Sequence, residues 1–157
     1  MQNRMKTHQL QEAEIKALMD KCPVGVLATV NTDGTPYCVP VHFARHKDAV
    51  VVHGLPAGQK IENIKANPSV CLSAYEMQGL ILPESKNPCS TNTAYMSVIM
   101  KGKASLLEDF AEKKAALMSI VTKYTPQLAE NEMPERAVKA TAVIKIEIEE
   151  LTGKYYG

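Results

Sequence analysis

The sequence predicts an α+β fold in which a six-stranded antiparallel β-barrel carries flanking helices. Six β-rich runs are separated by turn signals, and three other segments have the apolar spacing of amphipathic helices. Strands and helices do not alternate regularly, which disfavours a doubly wound parallel sheet. The 157 residues, 45% of them hydrophobic, predict one domain over residues 1–157 that needs no disulfides or metals to fold.

The amino-terminal half begins with a predicted surface helix over Leu10–Lys21, which Pro23 ends. Two β-rich runs follow, Val24–Val30 and Thr35–Phe43. They are joined through Asp33-Gly34, a dipeptide typical of tight hairpin turns because both residues tolerate positive φ. These runs therefore predict a β-hairpin.

The second strand of this hairpin has two distinct faces because side chains alternate along a strand. One face carries Val39, Val41 and Phe43, and the other carries Cys38, Pro40 and His42. Pro40 cannot donate a ladder hydrogen bond, so we expect an edge strand or interrupted pairing there.

The remaining strands are predicted at Ala49–His53, Ser69–Tyr75, Tyr95–Ala104 with a bulge or bend at Gly102, and Ala140–Glu149. The remaining helices are predicted at Gln59–Asn67 and Asp109–Tyr124. The segment Gly79–Thr93 shows no period and is rich in Pro, Ser, Thr and Asn, which indicates a long loop.

Charge and composition exclude several classes of partner. The formal net charge is +1, so no global field would attract nucleic acid or an anionic membrane. The polar stretch Met1–Leu10 does not predict a signal peptide, and no apolar run is long enough to cross a bilayer. The four cysteines are widely spaced and predict reduced, mostly buried thiols. We expect a soluble, cytoplasmic protein.

The sharpest chemical feature is the turn that links the third strand to the second helix. Gly58 and Gln59 lead into the helix, whose first backbone N–H groups are unpaired, and Lys60 adds a full positive charge beside them. This arrangement suits a phosphate group, although a plain turn with a solvated lysine has the same sequence. Neither a nucleoside triphosphate loop nor a Rossmann fingerprint is present.

Two histidines, His42 and His53, lie on predicted strands and are candidates for ligand contact or for ordinary packing. No recognisable ligand spacing predicts a metal site. No nucleophile elbow is present, and nothing in the local sequence supports Cys38 or Cys89 as a nucleophile.

Taken in order along nearly the whole chain, several stretches are similar to one known family. They are Gly25–Val30 with Asp33–Pro36, Val39–Phe43, Val52–Gly54 with Gly58–Lys60, Ile64–Cys71, Tyr95–Ile99 with Gly102–Ala104, and Leu151–Lys154. The chain thereby resembles the pyridoxamine-5′-phosphate-oxidase-like FMN-binding split barrels, most closely the 5-nitroimidazole-resistance (Nim) branch. The resemblance implies a split barrel, FMN as cofactor, and a homodimer with FMN at the subunit interface.

The resemblance also implies roles for individual residues. The cofactor-binding residues would be Val39, Pro40, Val41, His42, His53, Gly58, Gln59, Lys60 and Ser97. The strand over residues 39–42 would line the isoalloxazine with backbone groups, the turn at Gly58–Lys60 would take the phosphate, and Ser97 would lie near the ring. His53 would be the catalytic residue. The oxidases have a phosphate-binding arginine where this chain reads Val39-Pro40, so phosphate binding here would depend more on Lys60.

The resemblance implies an FMN-dependent oxidoreductase that reduces a nitroaromatic (5-nitroimidazole-like) or similar small acceptor. True pyridoxamine phosphate oxidation is not expected, because the carboxy-terminal substrate-binding segment of the oxidases has no counterpart. Two alternatives stay open: a non-catalytic flavin- or haem-binding module, and a structural dimer that has lost its cofactor.

Overall fold

The computed structural model describes residues 6–85 and 87–157. Residues 1–5 of the polar amino-terminal stretch and Lys86 of the Gly79–Thr93 segment lie outside the described residues. The strands of the described part are β1 (Gly25–Val30), β2 (Pro36–Val41), β3 (Phe43–His46), β4 (Ala49–Gly54), β5 (Ser69–Ile81), β6 (Asn92–Leu106) and β7 (Ala142–Tyr156). The helices are α1 (Glu12–Lys21), α2 (Gln59–Ala66), α3 (Phe110–Tyr124) and α4 (Glu135–Ala140), with 3₁₀ turns at Pro88–Ser90 and Pro126–Leu128.

Within the described residues, seven strands form one antiparallel sheet in the order β2-β1-β5-β6-β7-β4-β3. The two edge strands, β2 and β3, follow each other in the chain and are separated only by His42. The two edges must therefore meet at His42, so the sheet rolls into a barrel that is split at this point. The predicted α+β barrel is confirmed, with one strand more than expected.

The extra strand arises because the predicted single strand Thr35–Phe43 is interrupted. Strand β2 ends at Val41 and β3 begins at Phe43, and the two pair with different partners, β1 and β4. The hairpin at Asp33-Gly34 is confirmed: Gly34 has φ of 84°, and its N–H donates to the carbonyl oxygen of Asn31.

The prediction of a long loop over Gly79–Thr93 is confirmed for residues 82–91 and wrong at its two ends. Strands β5 and β6 continue pairing to Ile81 and Asn92, so the connection is limited to residues 82–91. Gly79, at φ of 147°, absorbs a register shift that lets the ladder continue past the interruption. The predicted irregularity at Gly102 is confirmed, and there a Cβ would lie 2.0 Å from the carbonyl oxygen of Glu147.

Two apolar clusters cover opposite faces of the sheet. The first fills the barrel and includes Leu27, Phe43 and Ile144, with α1 and α2 packed against it. The second joins α3 to the outer side of β4 and β7, where Leu117 packs near Val51. Helix α3 covers only this part of the outer surface, and no helix of residues 6–85 and 87–157 covers the outer face of β1, β2, β5 and β6, where Val26, Tyr75 and Ile99 are exposed.

Candidate functional site

An open cleft of about 330 Å³ lies beside the split in the barrel. Its lining residues are Val24, Pro40, Val41, His42, His53 and Lys60. Five of these six were predicted from the sequence as cofactor-binding residues, and the structure brings them together from β2, β4 and α2. The cleft is therefore the candidate functional site.

Lys60 reaches the cleft because the chain turns sharply between β4 and α2. Gly58 has φ of 124°, a conformation that L side chains rarely adopt, and it precedes the first helical residue, Gln59. The N–H groups of Ile61 and Glu62 both donate to the carbonyl oxygen of Gly58. The earlier N–H groups at the start of α2 precede these helical bonds and lie at the positive end of the helix.

Gly54 makes room for the Lys60 ammonium. A Cβ at position 54 would lie 3.3 Å from Lys60 Nζ and 3.6 Å from its Cε. The ion pairs of residues 6–85 and 87–157 do not include Lys60. The ammonium is therefore available to an anionic ligand in the cleft.

A buried polar network holds α2 in place, and it was missed from the sequence. Asn63 is fully buried; its Nδ2 donates to Thr29 Oγ1 at 2.9 Å and to Asn31 Oδ1 at 2.8 Å. Gln59 Nε2 donates to Asn63 Oδ1 at 2.9 Å. The sequence held one signal for this network: Asn63 stands next to the apolar Ile64 and one helical turn after Gln59. The network fixes the start of α2 relative to β1, and with it the position of Lys60.

His53 carries a buried polar atom with no hydrogen-bond partner. Its Nδ1 is among the unsatisfied side-chain atoms of the described residues. Burial lowers the pKa of His53, and the nearby His42 and Lys60 lower it further. The imidazole is therefore neutral at pH 7 and presents one donor and one acceptor.

His42 is exposed at the split and stacks on Tyr124, the last residue of α3. The ring centroids are 4.5 Å apart and the planes are inclined by 23°. The sequence predicted His42 as a cleft residue but gave no indication of this stacking, because the two positions are far apart in the chain.

Three predicted site residues have side chains that do not line the cleft. Val39 packs against the barrel core, which leaves only its backbone for contact, and the Gln59 side chain is bonded to Asn63. Ser97 lies in the middle of β6 between Tyr75 and Lys154 on the neighbouring strands. Its Oγ is buried and has no hydrogen-bond partner in the described part of the chain.

An apolar face borders the cleft on the outer side of the sheet. Strand pairing places Pro40, Val26, Ser73 and Ile99 in one row across β2, β1, β5 and β6. Val26 and Ile99 are 44% and 38% exposed, which is high for apolar residues in a sheet. Tyr75 and Met77 are also exposed large side chains on this face, and Pro40 belongs both to this row and to the cleft lining.

Two further properties concern the described residues as a whole. No helix among them is both long and apolar enough to cross a membrane. No three His, Cys, Asp or Glu side chains in residues 6–85 and 87–157 converge as metal ligands would.

Several solved structures share this architecture. A proposed 5-nitroimidazole antibiotic resistance protein from Bacteroides thetaiotaomicron is 27% identical, with 94% of this chain and 86% of that chain covered and a TM-score of 0.78. The flavocytochrome Anf3 from Azotobacter vinelandii is 25% identical, with 100% and 72% covered and a TM-score of 0.86. An FAD and haem binding protein from Mycobacterium smegmatis, at 18% identity, 94% and 73% coverage and a TM-score of 0.84, shares the fold.

A family model agrees with the structural comparisons. A search among curated proteins found no match. The family model described as pyridoxamine 5′-phosphate oxidase matches residues 11–155, which includes every residue of the cleft and all of the described strands except Tyr156, the last residue of β7. The chain belongs to the pyridoxamine 5′-phosphate oxidase family.

Proposed function

We propose that the cleft binds FMN, with its phosphate held by Lys60 and by the N–H groups at the start of α2. The observation that carries this proposal is the Lys60 ammonium, which lies beside the amino-terminal end of α2 and over Gly54 without a carboxylate partner in the described residues. A helix amino terminus and a lysine together favour a phosphate through both hydrogen bonds and charge.

The other polar groups of the cleft fit the ring system of a flavin. His53 Nδ1 is buried and unsatisfied, a state that costs free energy unless a ligand or water supplies the partner. Family membership and the flavoproteins among similar structures support a flavin. Lys60 is the one Lys or Arg among the described residues that line the cleft, which matches the single phosphate of FMN.

We further propose that the chain forms a homodimer through the apolar face around Val26 and Ile99. Exposed apolar area of this kind is typical of subunit interfaces, and Pro40 makes the face continuous with the cleft. Ser97 lies on the same outer face, two residues from Ile99. In such a dimer, Ser97 would lie near the cofactor of the partner subunit.

The proposed activity is reduction of a nitroaromatic or similar small acceptor by electrons from an external donor. When bound, FMN supplies the electron transfer, so the protein needs no nucleophile. The chain's own residues orient the cofactor and the acceptor. Because His53 is neutral at pH 7, its role is to donate or accept a hydrogen bond that positions the acceptor. The free cysteines of the described residues support a reducing compartment such as the cytoplasm.

A second candidate is a flavin- or haem-binding module without efficient turnover. The observations that favour it are the two imidazoles of His42 and His53 at the cleft and the similarity to a flavocytochrome. Reoxidation of the FMN-loaded, reduced protein by nitroaromatic acceptors separates the candidates. A rate above that of free reduced FMN supports the reductase, and a rate no higher supports the module.

The phosphate assignment is tested by comparing FMN with riboflavin, which lacks the phosphate. We expect Lys60→Gln to weaken FMN binding by about 10-fold or more, the effect of losing one charge-assisted hydrogen bond, and to leave riboflavin binding unchanged. Lys65→Gln is the matched control, because Lys65 lies on the same helix and pairs with Glu62. Equal losses for FMN and riboflavin, or no loss for FMN, would contradict the assignment.

A further inference from the structure

Tyr124 connects two separate segments of the cleft wall through one hydroxyl group. The oxygen accepts the Phe43 N–H at 3.0 Å and lies 2.8 Å from the Pro23 carbonyl oxygen and 3.0 Å from that of Phe43, to which it can donate. Burial is the main cause that raises the pKa of Tyr124, so the hydroxyl keeps its proton. Pro23 immediately precedes Val24, and Phe43 immediately follows His42; Val24 and His42 both line the cleft.

The hydrogen bond from Phe43 to Tyr124 lies on the side of β3 that has no neighbouring strand in the sheet. Strand β3 is an edge of the sheet and pairs only with β4. Phe43 is fully buried, and its N–H donates to the Tyr124 hydroxyl at the split rather than to a neighbouring strand. A buried N–H without a partner is costly, so the phenol hydroxyl stabilises the chain in the conformation it adopts at His42.

The ring of Tyr124 acts on the same segment. It stacks on the His42 imidazole, with 4.5 Å between centroids, and so limits the orientations of an otherwise exposed side chain. The preceding residue reinforces the arrangement: Lys123 Nζ donates to the Met19 carbonyl oxygen at 2.7 Å and lies 3.7 Å from the centre of the Phe43 ring. The end of α3 thus holds α1 and β3 together at the cleft.

We infer that Tyr124 is a positioning residue for the cofactor cleft: its ring orients His42, and its hydroxyl fixes the Pro23–Val24 and His42–Phe43 segments before the cofactor binds. This inference rests on the proposed function insofar as the cofactor is FMN. Tyr124 itself does not line the cleft, so its effect on binding is exerted through His42 and Val24.

Two substitutions separate the hydroxyl from the ring. Tyr124→Phe keeps the stacking and removes the hydrogen bonds, and we expect FMN affinity to fall about 3- to 10-fold, the equivalent of one typical hydrogen bond. Tyr124→Leu removes both contacts, and we expect a larger loss. Leu117→Ala is the control, because it destabilises the same helix from a buried position away from the cleft.

A second readout uses the protein without flavin. In the ¹H–¹³C NMR spectrum, the His42 ring protons should show the upfield shift of a stacked ring in wild type and Tyr124→Phe, and lose it in Tyr124→Leu. Unchanged His42 signals in Tyr124→Leu would overturn the inference whether or not FMN binds. An FMN affinity within twofold of wild type in Tyr124→Leu, or an equal loss in Leu117→Ala, would overturn it too. Failure of the wild type to bind FMN would instead contradict the proposed function.

Discussion

The Lys60 ammonium lies directly over Gly54, so close that a Cβ at position 54 would come within 3.3 Å of Nζ. Gly54 ends β4, and Lys60 is the second residue of α2, so the close approach depends on the turn between these elements. Position 54 therefore influences the proposed phosphate site without contributing any side-chain atom to it.

We expect Gly54→Ala to displace the Lys60 ammonium by a few tenths of an ångström and to weaken FMN binding by about 3- to 10-fold, part of the effect of losing the ion contact. Riboflavin binding should not change. Gly34→Ala is the control. An alanine at φ of 84° would be strained, but its Cβ would meet no atom within 4 Å, and Gly34 does not line the cleft. It should cost about 1 kcal/mol of stability and leave FMN binding intact. A Gly54→Ala protein with wild-type FMN affinity would refute the steric argument.

Removal of the Asn63 side chain should destabilise the fold. Asn63→Leu leaves Gln59 without its acceptor and Thr29 and Asn31 without their donor, and of these three partners Thr29 is buried. We expect a loss of about 1–3 kcal/mol in the free energy of unfolding measured with urea. The exposed Lys65→Ala on the same helix should stay within about 0.5 kcal/mol of wild type. If Asn63→Leu also stayed within about 0.5 kcal/mol of wild type, the network would contribute nothing to the free energy of unfolding.

Stability should decrease on mild acidification because of two histidines. Burial lowers the pKa of both His46 and His53 below the ordinary value near 6.5, so the unfolded chain takes up protons first. The contribution of these two histidines to the free energy of unfolding should therefore be nearly constant above about pH 6.5 and fall as the pH decreases below it.

The contribution of His46 can be isolated by substitution. His46 is buried and its Nδ1 lies 2.8 Å from Ser119 Oγ, a contact that Asn can imitate. We expect His46→Asn to lose less stability than wild type between pH 7.5 and 5.5 in urea unfolding. Identical slopes for His46→Asn and wild type would rule out this source of pH dependence.

The proposed dimer should separate when charge is placed on the apolar face. Ile99→Asp would put a carboxylate in the row formed by Pro40, Val26, Ser73 and Ile99. We expect sedimentation velocity to show a dimer for wild type and a monomer for Ile99→Asp. Leu128→Asp, at an apolar position on a 3₁₀ turn that is 48% exposed, against 38% for Ile99, should remain dimeric. A monomeric wild type at micromolar concentration would refute the interface.

Local chemistry explains what could be predicted from the sequence. The hairpin at Asp33-Gly34, the bulge at Gly102 and the turn at Gly58 each depend on glycine or its neighbours, which are visible in a short window. The resemblance to a family then supplied the cleft residues, most of which the structure brings together. The paired ends of β5 and β6 near Gly79 were missed, because pairing there is decided by the partner strand rather than by local period.

Contacts between segments that are distant in the chain could not be predicted from the sequence either. The break at His42 depends on β2 and β3 pairing with different strands, and its stabilisation by Tyr124 joins residues 81 positions apart. An Asn in a helix is typical of a solvent-facing position. Asn63 is nevertheless buried, and Thr29 and Asn31 accept the hydrogen bonds of its side-chain amide. In each case a polar group is buried because a partner from another element meets it there.

The most direct test of the account is the visible absorbance spectrum of the purified protein, before and after addition of FMN, together with mass spectrometry of whatever it releases on denaturation. We predict flavin absorbance bands, release of FMN, and loss of FMN retention in Lys60→Gln but not in Lys65→Gln. A colourless protein that takes up no added FMN, or one that releases haem alone, would contradict the account.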